Sequence, residues 1–268
     1  MLSPLIGVPG ETLLPGACCE KRSDVRFLTS IPWTWIPDEE VPVAPRRAVV
    51  LSGGPTHDFP ATTSCLREVL AAHGVESEVQ EDVDAAFRAL SGADLFVVNA
   101  LRWTMAGPGT PDRYRDRAAQ EGVSPAPEAR AAFAAHLRGG GSVLAMHTAA
   151  ICFDDWPEWA AAVGGAWRWG SSFHPPLGEM VVGIAAAEHP FVAGVSGFPI
   201  VDECYSELDL AADLEPLLVS DGQPLLWARE HGGGRVVYDA LGHHPPSYAV
   251  PEHRAILDRC IAWLLEDQ

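Results

Sequence analysis

Three consecutive glycines, followed by a short apolar run that ends on a histidine, constrain the fold of this chain more than any other feature. The segment reads GGGSVLAMHTAA over residues 139–150. A helical pattern over 127–138 leads into it, so the segment predicts a helix, a tight turn and a buried parallel strand. Ligands of open α/β sheets bind beyond the carboxyl ends of the strands. We therefore expect His147, at the end of this strand, to lie in a functional site.

The chain from residue 46 onward alternates between apolar runs and helical patterns. The apolar runs predict strands at 48–52, 75–79, 95–99, 143–146, 180–184, 217–220, 225–228 and 235–240. The helical patterns are at 62–73, 82–90, 127–138 and 256–265. Strands that alternate with helices form parallel sheets with right-handed crossovers. The expected fold class is therefore α/β, a doubly wound, mostly parallel sheet with helices on both faces.

Two parts of the sequence do not follow this alternation. Residues 1–45 contain seven prolines and show no sustained period, which predicts an N-terminal extension or arm instead of a domain. We expect this arm to pack on the main domain or on a neighbouring subunit, so a homo-oligomer is compatible with the sequence. Residues 101–124 form a polar insertion rich in glycine and proline. The domain itself is expected to span residues 46–268.

The acidic balance of the chain limits its partners. Over 268 residues, 36 acidic side chains outnumber 18 basic ones, so the formal net charge is -18. Such a field repels phosphate backbones and anionic membranes, so neither nucleic acid nor a membrane is an expected partner, whereas a neutral sugar is not repelled. Solubility alone is also a sufficient reason for the acidity. No secretory signal pattern or membrane-length apolar run is evident, and we expect a cytoplasmic protein.

Polar side chains follow several of the apolar runs, where loops at one edge of the sheet are expected. They are His57, His147, His174, Glu203, His243 and His244. A cleft lined by imidazoles and a carboxylate suits a zinc-type metal site or acid–base chemistry. The structural alternative is that each histidine only satisfies the hydrogen bonds of its own loop. Four further histidines are instead expected on solvated helix faces or polar turns: His73, His136, His231 and His253.

Tryptophans and glycines add weaker signals. Trp156, Trp159, Trp167 and Trp169 cluster after the central strand, where they would either stack on sugar rings or fill the core. The glycines at 139–141 precede a strand instead of opening a helix after one. No phosphate-binding or dinucleotide motif is therefore present, and no nucleotide cofactor is expected.

An ordered set of motifs accompanies the segment 139–150. The set comprises Glu188-His189-Pro190, Asp202-Glu203-Cys204-Tyr205, the run GRVVYDALGH at 234–243 and the closing Ile261-Ala262-Trp263. In this order the motifs resemble the trehalose-utilisation (ThuA-like) family, over roughly residues 46–268. The resemblance implies a flavodoxin-like fold of the class I glutamine amidotransferase superfamily. It also implies a role in carbohydrate use, in pathways that handle keto disaccharides.

The resemblance bears on the reaction as well. In true amidotransferases the turn after the central strand bears a catalytic cysteine, whereas this chain has His147 there. Cys152 lies five residues further on, and the neighbouring Phe153, Asp154 and Asp155 are expected to raise the pKa of its thiol. We therefore expect no glutaminase activity.

The leading hypothesis is a sugar-processing enzyme, a hydrolase, lyase or isomerase that acts on a keto-glycoside. Catalytic roles are assigned to His147, Glu203 and His243. A divalent metal such as zinc is expected on His147, His174, Glu203 and His243. Substrate contacts are assigned to His57, Trp169, Tyr205 and His244. The alternative function is a non-catalytic sugar-binding or regulatory module on an amidotransferase-like fold, which would need no converging bases.

Overall fold

The computed structural model of the protein describes residues 45–266. The predicted N-terminal arm therefore lies outside the described residues, except for its last position. In the described part the strands are β1 (Arg46–Gly53), β2 (Val75–Gln80), β3 (Leu95–Ala100), β4 (Ser142–Met146), β5 (Gly165–Ala166), β6 (Gly178–Ile184), β7 (Phe198–Asp202), β8 (Asp209–Leu210), β9 (Leu218–Ser220), β10 (Gln223–His231) and β11 (Gly234–Asp239). The α-helices are α1 (Phe59–Ala72), α2 (Val83–Arg88), α3 (Asp112–Arg115), α4 (Ala118–Glu121), α5 (Pro127–Arg138), α6 (Pro157–Val163), α7 (Pro245–Ala249) and α8 (Pro251–Leu264).

Nine of these strands form one sheet in the order β2-β1-β3-β4-β11-β10-β9-β6-β7. In this order β2, β1, β3, β4 and β11 are parallel to one another. The strands β10, β9, β6 and β7 then continue the sheet through antiparallel pairs. The change of direction follows from Gly232-Gly233, because a two-residue turn between β10 and β11 can only join antiparallel strands. The predicted doubly wound α/β fold is confirmed, with a sheet that is parallel in its core and mixed overall.

Burial differs between the two halves of the sheet. Every residue of β3 and β4 is buried, because helices cover both faces of a parallel sheet. In β7, buried and exposed residues alternate, and Val181 of β6 is 68% exposed. The loops that follow β3 and β4 are thus anchored on fully buried strands.

The helices pack on the sheet in two groups. One group is built around α7, which contacts both α1 and α8. In the other group the rings of Phe87, Phe133 and Trp159 connect α2, α5 and α6. The α1 helix begins where Asp58 accepts a hydrogen bond from Ala61 N at 3.2 Å, and this cap also fixes the loop before α1. Among the described residues, no helix combines the length and the apolar character of a membrane span.

The structure adds elements that the sequence patterns do not predict. The insertion at 101–124 contains the one-turn helices α3 and α4 and is tied to the core by Trp103, whose carbonyl accepts a hydrogen bond from Val123 N at 2.8 Å. β5, β8 and α7 are too short to show a period in the sequence. Trp156 and Trp159 are 4% and 1% exposed, so these two rings fill the core and are closed to a sugar.

Two of the histidines predicted on solvated surfaces are buried, so the prediction for them is wrong. His136 is 8% exposed, and its Nε2 lies 3.1 Å from Ser142 O. His253 is fully buried between Ser247 O and the carboxylate of Asp239. In both cases a nearby acceptor allows the polar ring to lie inside the protein.

Candidate functional site

Four side chains from separate parts of the chain meet at one edge of the sheet. His57 follows β1, His147 follows β4, Glu203 follows β7 and His243 follows β11. One potential ligand atom of each lies within 4.8 Å of the other three. His147 and Glu203 are buried, and His57 and His243 are partly buried. These four residues, which we call the histidine–glutamate group, show the convergence expected from their positions after apolar runs.

Three of the ligand atoms form a nearly equilateral triangle. His147 Nε2 lies 3.4 Å from Glu203 Oε2, and His243 Nδ1 lies 3.2 Å from the same oxygen. The two ring nitrogens are 3.3 Å apart. Ligand atoms bound at about 2.1 Å to a tetrahedral zinc ion are roughly 3.4 Å from one another. The triangle therefore has the dimensions of one face of a tetrahedral metal site.

A backbone hydrogen bond fixes one proton of His147. Its Nδ1 lies 2.7 Å from the carbonyl oxygen of Ala240, which can only accept, so Nδ1 carries a hydrogen. In the neutral ring, Nε2 then holds a lone pair that faces Glu203 Oε2. Two lone pairs at this distance repel each other unless a proton or a metal ion lies between them. The arrangement could therefore hold a proton or a metal ion between these two atoms.

Glu203 is the electrostatic centre of the group. Burial alone would raise the pKa of Glu203, but the contacts with His147 and His243 outweigh burial and lower that pKa well below its usual range. The same contact raises the pKa of His243, although burial opposes it. The contacts to Oε2 are long, and this buried oxygen lacks a hydrogen bond of good geometry among the described residues. Glu203 is thus ionised and incompletely satisfied.

His57 contributes a second buried atom without a partner. Its Nδ1 lies 3.0 Å from Thr56 Oγ1, whereas Nε2 is buried and has no hydrogen-bond partner in the described part of the chain. Burial, and then the neighbouring His147 and His243, lower the pKa of His57 to about 4. The ring is therefore neutral at pH 7. A buried polar atom left unpaired costs roughly 1–3 kcal/mol, and a bound metal ion would remove this cost.

The backbone at His147 is strained. Its φ is 45°, in the left-handed region that is uncommon for residues other than glycine. A 3₁₀ turn over His147–Ala150 follows β4 directly, and Tyr238 Oη donates a hydrogen bond to His147 O at 2.8 Å. Such strain costs about 1–3 kcal/mol and is found where the surrounding structure enforces it, often at functional sites. The chain thus leaves β4 in a sharp turn at His147.

Asp202 is a site residue that the sequence reasoning did not assign. Its Oδ1 accepts hydrogen bonds from Glu203 N at 2.8 Å and His243 N at 3.3 Å, and its Oδ2 accepts from Gly242 N at 2.9 Å and from Ser247 Oγ. Asp202 is 2% exposed. It therefore ties the end of β7 to the loop after β11 and fixes Glu203 relative to His243. The sequence signals for it are its place at the end of an apolar run, directly before Glu203, and its position in the motif at 202–205.

His174 contacts the group from outside. Its Nδ1 lies 2.8 Å from Pro175 O and 3.4 Å from Glu203 Oε1, and its side chain is 35% exposed. Its ring stacks on Tyr205 with centroids 5.4 Å apart, and the Tyr205 ring lies 4.4 Å from that of His147. Tyr205 is 1% exposed, and burial raises its pKa well above the ordinary value. Tyr205 thus lies as a wall between the two histidine rings.

The other two residues assigned to substrate contacts, Trp169 and His244, do not belong to the histidine–glutamate group. Trp169 packs on the insertion, with ring centroids 6.1 Å from Trp103 and 5.6 Å from Tyr114. The ring of His244 lies 6.0 Å from that of His243, and burial is the main cause that lowers the pKa of His244. Their roles in substrate binding remain predictions.

Cys152 is enclosed in the core. Its Sγ donates to Ala100 O at 3.1 Å and accepts from Arg102 N at 3.3 Å, and the residue is 3% exposed. Burial raises the pKa of the Cys152 thiol to about 12. A thiol with this pKa is not a nucleophile at neutral pH, which supports the expectation that the chain is not a glutaminase.

Known proteins share the architecture described above. A ThuA-like protein from Parabacteroides merdae superposes with a TM-score of 0.65 at 17% identity, over 82% of this chain and 90% of that one. A ThuA-like protein from Bacteroides uniformis gives 0.60 at 16% identity, over 85% and 95%. A Salmonella typhimurium protein described as cytoplasmic gives 0.57 at 13% identity, over 82% and 100%. At these identities the likeness shows the fold.

The sequence itself matches a family model. That model, ThuA, is described as trehalose utilisation and matches residues 47–264, which is well over half of the chain. No curated protein matches the sequence at a significant level. The chain therefore belongs to the ThuA family of trehalose utilisation.

Proposed function

We propose that this ThuA-family protein processes a carbohydrate at a divalent metal site built by His57, His147, Glu203 and His243. The observation that carries the proposal is the lone pair of His147 Nε2 that faces Glu203 Oε2 at 3.4 Å. The buried, unpaired His57 Nε2 supports it. The set differs from the sequence hypothesis at one ligand: His57 takes the place of His174, whose Nδ1 proton is directed to Pro175 O.

The chemistry of the four ligands indicates the kind of metal. Three imidazole nitrogens and one carboxylate oxygen suit zinc and its first-row divalent neighbours better than calcium or magnesium, which prefer oxygen. The Ala240 carbonyl orients the His147 ring through Nδ1, which is the supporting contact that histidine ligands of metals usually have. No nucleotide is needed in this proposal.

A bound divalent ion would polarise a carbonyl or hydroxyl oxygen of the sugar. His174 is the histidine that we assign to proton transfer with the substrate. Its Nδ1 carries the proton that bonds Pro175 O, so Nε2 of the neutral ring holds a lone pair, and the side chain is partly exposed beside Glu203. Protons next to a ketone are acidified, so a keto-glycoside is the substrate class that one such base suits best.

We place this activity in the cytoplasm. The cysteines Cys65, Cys152, Cys204 and Cys260 are free, as is usual for thiols in a reducing compartment. The formal charge of -18 does not oppose a neutral sugar.

The proposal is tested by turnover of keto-disaccharides, followed by NMR, on the full chain. We expect turnover with zinc, loss after chelation and recovery when zinc is restored. We expect His174→Gln to lower kcat by about 10²- to 10⁴-fold at unchanged zinc stoichiometry. Turnover that survives chelation would contradict the metal site. Zinc and sugar binding without any turnover would favour the non-catalytic module.

A further inference from the structure

A polar cleft adjoins the histidine–glutamate group on the side of His57. Its volume is about 580 Å³, within the range of roughly 300–1,000 Å³ that small-molecule sites occupy. Its floor is the loop after β1, and one wall comes from the insertion at 101–124. Because His57 lines the cleft as well as the group, a ligand in the cleft would lie next to the proposed metal ion.

Two glycines without side chains form part of the floor of the cleft. Gly53 and Gly54 have φ values of 97° and 133°, which residues with a Cβ rarely adopt. A Cβ on Gly53 would lie 2.6 Å from Nη2 of Arg102, and one on Gly54 would lie 2.4 Å from Leu101 O. Gly53 therefore allows the Arg102 guanidinium to lie directly against the loop, and Gly54 allows the Leu101 backbone to do so.

Arg102 has unused hydrogen-bonding capacity in this cleft. Its Nη2 donates to the backbone oxygen of Glu81 at 3.1 Å, but its Nε is buried and finds no acceptor among residues 45–266. Arg117, which also lines the cleft, is instead paired with Glu121 at 2.7 Å. The Glu81 side chain is exposed on the same lining, so a donor and an acceptor of opposite charge are both available to a ligand.

We propose that this cleft is the subsite for a neutral, hydroxyl-rich sugar, with Arg102 and Glu81 as the residues that recognise it. The inference rests on the proposed function, because the cleft would present this sugar to the metal site. Neighbouring sugar hydroxyls both donate and accept, so one can accept from the guanidinium while the next donates to the carboxylate. An anionic ligand fits less well, because the exposed Glu81 lies on the same lining as Arg102, Glu121 already pairs with Arg117, and the chain has a formal charge of -18.

The test is saturation-transfer NMR on the chelated full chain, with trehalose and other neutral disaccharides as one probe set. Glucuronate and glucose 6-phosphate are the anionic probes. We expect only the neutral probes to bind. We expect Arg102→Lys and Glu81→Gln to weaken the binding of these neutral probes by about tenfold or more. Arg88→Lys is the control, because Arg88 is exposed and pairs with Asp82 at 3.9 Å outside the cleft.

Several results would overturn the subsite. They are the absence of any neutral ligand at millimolar concentration, preferred binding of the anionic probes, and neutral binding that survives both variants. Circular dichroism verifies that Arg102→Lys is folded. Glu81→Gln changes an exposed side chain, so it keeps the test valid if Arg102→Lys does not fold. Failure of the metal proposal can be distinguished from failure of the subsite, because zinc titration of the same variants does not depend on sugar binding.

Discussion

Two histidine–carboxylate pairs in this protein lie in different surroundings. His253 and Asp239 are both 0% exposed, with His253 Nε2 2.9 Å from the Asp239 carboxylate and Nδ1 2.8 Å from Ser247 O. The other Asp239 oxygen accepts a hydrogen bond from Leu241 N at 2.9 Å. In the histidine–glutamate group, by contrast, Glu203 Oε2 and His57 Nε2 are buried without a hydrogen-bond partner in the described chain.

The difference supports the proposal that the first is a structural pair and the second is a metal site. Each ring nitrogen of His253 faces an acceptor, so this pair needs nothing more than its own protein. The histidine–glutamate group brings lone pairs together and leaves them unpaired, an arrangement that costs stability unless something binds. Burial of a histidine beside a carboxylate therefore does not by itself indicate a binding site. Buried polar atoms without a hydrogen-bond partner do.

The largest expected effect is on the structural pair. Asp239→Asn removes the charge opposite a buried histidine, and breaking such a pair costs about 3–5 kcal/mol of unfolding free energy. We expect this loss in urea unfolding, while the protein that remains folded binds zinc with unchanged stoichiometry. Loss of zinc binding at unchanged stability would remove the distinction between the two pairs.

Asp202→Asn is expected to act on the functional group instead. It removes the carboxylate that holds the backbones of Glu203 and His243, so zinc affinity should fall by about 10- to 100-fold, as for other residues that orient metal ligands. Ser247→Ala, which removes only one of the four donors to Asp202, is the matched control and should have a smaller effect. Calorimetric zinc titration measures both variants, and equal affinities in wild type and Asp202→Asn would disprove the positioning role.

The two sites should also differ in how stability depends on pH. Burial lowers the pKa of His253, but Asp239 and Ser247 O outweigh it, so the net shift is upward. The stabilisation by His253 is thus complete below its ordinary pKa of about 6.5 and is lost as pH rises through the raised value. His57, with a pKa lowered to about 4, has the opposite sign, and its contribution to stability increases between about pH 4 and 6.5.

Unfolding of chelated wild type, His253→Gln and His57→Gln over this pH range measures these slopes. The difference between wild type and His253→Gln should shrink as pH rises above about 6.5. The free energy of unfolding of wild type relative to His57→Gln should instead increase as pH rises from about 4 to 6.5. Slopes of the same sign would contradict the opposite pKa shifts of the two histidines.

The smallest effect is expected at Cys152. Its buried thiol makes only weak hydrogen bonds, so Cys152→Ala should cost about 1 kcal/mol and leave sugar turnover and zinc binding unchanged. Ammonia release from glutamine that disappears in this variant would restore the amidotransferase interpretation.

The sequence was sufficient for the parallel half of the fold and for the edge where the site lies. Buried parallel strands appear as continuous apolar runs, and β3 and β4 are fully buried. The residue after such a run lies at the carboxyl edge of the sheet, so the position of His147 in the sequence predicts its place at that edge. The resemblance to ThuA-like proteins then gave the family, which the match over 47–264 confirms.

Contacts between distant segments could not be predicted in this way. His253 lies on α8, and its partner Asp239 ends β11, so its burial depends on how the helix packs on the sheet. Asp202 acts through backbone groups of the loop after β11, which lie 40 or more residues away in the sequence. The apolar runs do predict strands at β6, β9 and β10, but local periodicity contains no information about either contact or about the antiparallel pairing of these strands.

The most direct test of the central claim is anomalous diffraction at the zinc edge from crystals of the zinc-loaded protein. We predict one strong peak about 2.0–2.2 Å from the ligand atoms of His57, His147, Glu203 and His243, and no peak in Glu203→Gln crystals. The His253–Asp239 pair should show none in either crystal. No peak at the histidine–glutamate group, or a peak that persists in Glu203→Gln, would contradict the account.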